Sequence, residues 1–339
     1  MAGKFYLYRR KDDQTFMQVA HTLKDTVEAH LDGLALAQRR PANLYQPMAY
    51  LLGLKGKRIR PVLVLLAYQA VSRQAPEAAL NLAAAVELFH NFTLMHDDIM
   101  DRAPVRRGQP AVHVKWDENI AILSGDALFA YSMGLVVKDF PEHAAALATE
   151  YTSVAMGVCE GQQEDLDLAT QAQVDIPAYL EMIRKKTAVL LGGCLSLGAM
   201  AAGADDELVH DFRQYGEYLG IAFQLQDDLM DAFPPENFGK QVGGDIIENK
   251  KTYLYLRALE LADDQQQRRL RHHFTHDTPE EQKVAEVLEV FRQTNIPEET
   301  GRLIDDYFNQ ATQLSQSLAQ RVDFTDLQSY LSVIVNRKV

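Results

Sequence analysis

A chain of 339 residues, 47% hydrophobic and 24% charged, has enough apolar surface for one large core or two smaller ones. Its formal net charge of −13 argues against nucleic acid as the main partner, because holding a phosphate backbone needs a basic face. Two cysteines, Cys159 and Cys194, without zinc-site spacing or a disulfide framework, and a charged start "MAGKFYLYRRKDDQTF" with no apolar run of a signal peptide, lead to the expectation of a cytoplasmic protein.

Strand signals are scarce, whereas helical spacing of apolar residues recurs throughout. Helices are expected at about 16–38, 44–73, 77–101, 117–136, 141–168, 177–202, 206–232, 246–272, 280–293, 298–320 and 324–336. Proline and glycine breakers fall between them, and no linker is long or polar enough to separate a pair of domains. The expectation is therefore one all-α domain over residues 1–339, a bundle of about ten or more helices. Residues 61–71 and 187–204 are apolar nearly all round, so both read as helices enclosed by neighbours. The second is uncharged over a length that raises the question of a membrane span. Its glycines and alanines make it weakly hydrophobic, and it reads as a core helix packed closely through small residues.

Two of these helices end in aspartates, as "FTLMHDDIMD" (92–101) and as "FQLQDDLMD" (223–231). Asp97 and Asp101 are four residues apart, so on a helix their carboxylates share one face, and Asp227 and Asp231 repeat the spacing. Like charges at that spacing, at the negative end of a helix dipole, are unfavourable unless a cation joins them. One such cluster alone could equally be a solvated helix end; two copies point to a purpose. The all-oxygen donor set suits Mg²⁺, which keeps waters and completes its shell with phosphates, so a phosphorylated substrate is expected.

Basic residues cluster despite the acidic total: Lys57 and Arg60 in "GKRIRP", Arg106 and Arg107 in "RAPVRRG", Lys185 and Lys186 beside Thr187 in "IRKKTAV", and Lys240, Lys250 and Lys251 in "FGKQVGGDIIENKKTY". Singly each reads as a solvated face. Together they suggest two phosphate subsites, one bridged to carboxylates by metal and one held directly by Lys and Arg.

The ordered set "GKRIRP", "HNFTLMHDDIMD", "RRG", "GDALFA", "GQQEDL", "KKT", "FQLQDD" and "GKQVGGDIIENKKTY", spread over about residues 45–260, resembles the trans-isoprenyl diphosphate synthases, or polyprenyl synthetases. The resemblance implies packed helices around a deep central cavity, a homodimer, and extension of an allylic diphosphate (dimethylallyl, geranyl or farnesyl) by isopentenyl diphosphate. It implies Asp97, Asp101 and Asp227 as Mg²⁺ ligands, three ions per site, with Asp98, Asp228 and Asp231 supporting the clusters. Arg106, Lys186 and Lys240 would help grip the allylic diphosphate, and Lys250 joins the substrate-binding set. Lys57, Arg60, His90 and Arg107 match the isopentenyl diphosphate site, and Thr187 and Gln224 match positions flanking the reacting allylic carbon. Lys55 stands where many relatives have glycine. Segment 234–244 reads either as a lid that brings Lys240 over the site or as a plain surface loop.

Product length is read from Phe92, five residues before Asp97 and so about 7.5 Å back along a helix. In the family a bulky side chain there forms a floor for the growing chain. Thr93 at the next position, and no insertion within "DDIMD", resemble geranylgeranyl diphosphate synthases of the archaeal kind, which favours a C20 over a C15 product. Phe89 reads either as a piece of the floor or as core. A terpene cyclase is the less favoured alternative, since Asp231 and Pro235 depart from its second motif; a non-catalytic subunit is disfavoured because no motif residue is missing.

Overall fold

The computed structural model describes residues 13–54, 56–234, 242–276 and 278–335; Lys55, Lys240 and most of segment 234–244 lie outside that set. Among the described residues the chain is helical almost throughout, as its apolar spacing predicts. The helices are α1 Asp13–Gly33, α2 Ala42–Gly53, α3 Ile59–Ser72, α4 Leu80–Met100, α5 Val112–Lys115, α6 Glu118–Val136, α7 Ala144–Thr170 and α8 Ile176–Ile183. After a π-helical turn, Arg184–Ala188, follow α9 Val189–Ala201, α10 Asp206–Ala232, α11 Gly244–Ile247, α12 Tyr253–Leu261, α13 Asp264–Thr275, α14 Glu280–Gln293, α15 Ile296–Arg321 and α16 Thr325–Val335.

Aspartates start several of them by accepting otherwise unpaired amides. Asp117 accepts from Ile120 N at 2.8 Å and Asp175 from Ala178 N at 2.9 Å, while Asp263 forms a reciprocal capping box with Gln266. Several expected helices are subdivided: the run 16–38 gives α1 and then, past Ala35 at a positive φ of 53°, a 3-10 turn at Leu36–Gln38. The run 44–73 breaks between α2 and α3, because Arg58 adopts a positive φ of 51° that a helix cannot continue through. The run 246–272 becomes α11, α12 and α13, separated by extended backbone at Thr252 and at Ala262–Asp263. The run 177–202 carries the π-helical turn. A small hairpin that the sequence did not signal pairs β1 Val105–Arg106 with β2 Gln109–Pro110, turning through Arg107 and Gly108, both at positive φ as a two-residue hairpin turn requires.

The described residues divide into two compact units. In the first, made of the described residues among 1–152, 193–212 and 318–334, α4 packs along α6 and against α3 and α1. Val62 to Ala67 of α3 are all within 2% of full burial, as are Leu82 to Phe89 of α4. Each such leucine contributes about 1.5–3 kcal/mol of burial free energy. The uncharged 187–204 stretch contributes core here too, with Cys194, Leu195 and Ala199 fully buried. Its closeness to α3 depends on Gly198, where a Cβ would lie 2.4 Å from the Val64 carbonyl oxygen. Helix α6 alone among the described helices is long and apolar enough to cross a membrane by composition.

The second unit takes in the described residues among 153–192, 213–317 and 335–339. There α12 packs on α8 and α14, and α14 covers α11 and α13. Lys283 of α14, 5% exposed, donates to Ile247 O at 3.1 Å and to Asn249 Oδ1 at 2.6 Å, which fixes the end of α11.

Because no atom at the α3–α9 contact can give way cheaply, Gly198→Ala should lower unfolding free energy by about 1–3 kcal/mol in a urea titration. Gly134→Ala, on an open face of α6, should be neutral or stabilise by up to about 1 kcal/mol.

Candidate active site

In the first unit the chemistry gathers around His90 on α4. Arg60, on the first turn of α3, donates to His90 Nε2 at 3.2 Å, so that nitrogen carries no proton. Burial, and then the charges of Arg60, Arg107, Arg106 and Arg58, hold the imidazole well below its ordinary pKa, and His90 is neutral. Arg58, 6% exposed, is compensated: it donates to Glu87 Oε1 at 2.6 Å and to the Leu52 carbonyl. That pair ties the break before α3 to α4. Arg106 is compensated by Asp98. Arg107 donates only to the Leu54 carbonyl, at 3.2 Å, and burial lowers its pKa; neither Arg107 nor Arg60 forms an ion pair among the described residues. Lys57 is exposed on the segment leading into α3. A group with surplus guanidinium charge and a neutral histidine is completed by an anion.

The first acidic cluster closes α4. Asp97 is half-buried, Asp101 is the exposed C-cap, and Asp98 is turned inward at 1% exposure. Asp98 Oδ1 accepts from both Arg106 Nε, at 2.9 Å, and Arg106 Nη2, while Oδ2 finds no partner. Further back along α4, Thr93 bonds to the His90 carbonyl, and Phe92 stacks on Phe129 at 5.4 Å and meets Phe89 at 5.6 Å. Phe89 is 1% exposed: it is core and at the same time backs the Phe92 ring.

In the second unit the second cluster closes α10. Asp227 is exposed and Asp228 is 4% exposed. Burial pushes the Asp228 carboxyl up to about 7, opposed by two donors: the Tyr179 hydroxyl to Oδ2, and Gln224 Nε2 to Oδ1 at 3.0 Å. Gln224 Oε1 in turn accepts from Thr187 Oγ1 at 3.0 Å. Asp231 serves the backbone: its oxygens accept from Gly244 N at 3.1 Å and Asp245 N at 3.0 Å, anchoring the start of α11.

The lysines sort by partner. Lys186 pairs with Asp165 at 2.5 Å and Lys185 with Glu164 and Glu160, all on α7. The lysine pair lies on the π-helical turn, and Gly161 of α7 lets that turn approach: a Cβ there would sit 2.2 Å from Lys186 N. Burial works against the Lys250 ammonium, but Glu248 at 2.8 Å and Asp245 at 3.6 Å outweigh it and hold the pKa above the ordinary lysine value. Lys251 instead caps the end of α7, donating to the carbonyls of Leu168, Ala169 and Gln171.

A cavity of about 120 Å³ in this unit brings together Asp165, Tyr179, Lys186, Thr187, Gln224 and Asp228, over an apolar wall of Leu168, Met182 and Ile183. Tyr179 and Glu87 are site residues outside the motifs, and Asp165 lies within "GQQEDL", whose residues the motifs gave no individual role. A lone acid inside the apolar run "VELFHN" was an available signal for Glu87.

Among the described residues no three carboxylate, histidine or cysteine side chains converge into a protein-only metal centre. The donors still fit Mg²⁺, because the accessible groups of both clusters, Asp97, Asp101 and Asp227, are hard oxygen ligands of the kind that share that ion with phosphates and water.

A profile of the polyprenyl synthetase family matches residues 41–291. The chain is 42% identical over 237 residues to a geranylgeranyl diphosphate synthase of Methanosarcina mazei, covering 69% of this chain and 72% of the relative. It is 39% identical to a geranylfarnesyl diphosphate synthase of Natronomonas pharaonis, covering 66% and 71%. The fold superposes on the crystal structure of a geranylgeranyl pyrophosphate synthetase from Pyrococcus horikoshii with a TM-score of 0.87 at 30% identity, covering 97% and 100%.

Replacing Glu87 by Gln leaves the buried Arg58 with only the longer, more exposed ion pair to Glu28 at 3.6 Å, and should cost up to about 3 kcal/mol of stability, read from the urea midpoint. In an ¹⁵N NMR titration His90 should stay neutral to a pH well below the ordinary histidine range, because burial and then the neighbouring arginines disfavour the imidazolium, and added inorganic diphosphate should move its protonation to higher pH.

Proposed function

The chain belongs to the polyprenyl synthetase family, and from that premise we propose that it condenses isopentenyl diphosphate with allylic diphosphates to make geranylgeranyl diphosphate (C20). The observation that carries the reading is the cationic group at His90, where Arg60 and Arg107 have no carboxylate partner among the described residues, in a chain that also holds two carboxylate clusters. Lys57, Arg60, His90 and Arg107 hold the isopentenyl diphosphate; neutral His90 adds a hydrogen bond without competing for the anion. Lys186, steadied by Asp165, serves the allylic diphosphate together with Arg106, steadied by Asp98, and with Lys240.

Mg²⁺, taken up by Asp97, Asp101 and Asp227, would neutralise charge building on the departing diphosphate. The allylic C–O bond ionises, and the isopentenyl double bond attacks the resulting carbocation. A proton then leaves to the departed diphosphate and an alkene is restored. Oxygens of Thr187 and Gln224 face the developing positive charge, and Leu168, Met182 and Ile183 keep water from quenching it. Phe92, braced by Phe129 and Phe89, is the floor that stops the chain. The two units act in this reading as one polyprenyl synthetase domain, and the enzyme is a cytoplasmic homodimer.

The test is to incubate the purified protein with Mg²⁺, labelled isopentenyl diphosphate and each of dimethylallyl, geranyl and farnesyl diphosphate, then to size the dephosphorylated products. Geranylgeraniol from all three primers is the expected result; a folded protein that elongates none would overturn the reading. Phe92→Ala should lengthen the main product by at least one five-carbon unit, whereas an unchanged product would remove Phe92 as the floor.

A further inference from the structure

An amide side chain can present either its oxygen or its NH₂ group to a substrate, and the two have opposite electrostatic sign. At Gln224 the choice is fixed from behind. Asp228 accepts through both oxygens, from the Gln224 NH₂ group to Oδ1 at 3.0 Å and from the Tyr179 hydroxyl to Oδ2, so the Gln224 oxygen is left facing the Thr187 hydroxyl, also at 3.0 Å. Asp228 is itself fixed by the hydroxyl of Tyr179, which donates to Oδ2. Tyr179 and Asp228 are each 4% exposed, and all four side chains line the same cavity.

We propose that Tyr179 and Asp228 are positioning residues that lock the Gln224 amide with its carbonyl oxygen toward the cavity, where it faces the carbon on which positive charge develops. The inference rests on the carbocation chemistry proposed above. Without the Tyr179 hydroxyl, Gln224 alone holds the carboxylate, which can then turn about its Cβ–Cγ bond and release the amide. A flipped amide would point N–H groups at a growing cation. Tyr179 acts on the reaction only through this chain; its ring adds to the apolar wall, which phenylalanine preserves.

The test is a kinetic double-mutant cycle between Tyr179→Phe and Gln224→Ala, with melting curves to confirm folding. Tyr179→Phe should lower kcat about tenfold and leave KM for isopentenyl diphosphate within about twofold, because the preorganised dipole acts mainly on the transition state. In the Gln224→Ala background the same change should cost less than about twofold. An unchanged kcat, a loss confined to KM, or losses that multiply would each overturn the proposal. If the phenylalanine variant does not fold, Asp228→Asn takes its place in the cycle, since an amide there can donate to the Gln224 oxygen and turn it away. The same pattern is expected, and multiplying losses or a raised Mg²⁺ requirement would overturn it. Absence of elongation by the unmodified protein would instead defeat the reaction itself.

Discussion

Neighbouring residues on an α-helix point about 100° apart, so two adjacent aspartates cannot both look out from one face. In each acidic cluster the second aspartate is consequently the inward one, and a buried carboxylate persists only where donors reach it. Asp98 receives Arg106, and Asp228 receives Tyr179 and Gln224. The position of an arginine beyond the end of α4, and the orientation of an amide on α10, both follow from satisfying a carboxylate that helical geometry turned inward. The outward aspartates present charge; the inward ones organise the cations and dipoles beside them.

The backbone leaves regular helix where basic side chains gather. Arg58 at positive φ begins α3, Arg107 and Gly108 form a tight hairpin turn, and Lys185 and Lys186 ride a π-helical turn. A straight helix spreads its side chains radially at fixed intervals, so several cations converge on one anion more readily from irregular backbone. Such conformations persist when the surroundings over-determine them. At Arg58 the buried contacts to Glu87 and the Leu52 carbonyl do so; at the π-helical turn, the ion pairs with α7.

Much of this was legible in the sequence because it is periodic or local. The apolar spacing of 206–232 matched α10 end to end, and the match of the family profile to 41–291 encloses the span of motifs read as 45–260. The small residues of 187–204 announced a close helix contact, which Gly198 makes with α3. What was not legible is held by long-range partners. Nothing local marks Tyr179 as the donor to an aspartate 49 residues away, and Asp231, spaced to complete a ligand pair, instead accepts from two backbone amides. The break before α3 was hidden because the apolar spacing reads straight through it; extended backbone at Leu54 ends α2 and the positive φ of Arg58 precedes α3.

The π-helical turn also gives chain length a meaning of its own. Lys186 and Thr187 are aimed at Asp165 and Gln224, while the next residue, Ala188, is packed so tightly that a Cβ on Gly220 would lie 2.5 Å from its Cα. An ordinary α-helical turn accommodates fewer residues, so the added one sets the phase between the polar side chains and the packing face. Removing a single residue from 184–188 would rotate one set against the other by about 100° without altering any remaining side chain. In this segment the number of residues is as much an instruction as their identity.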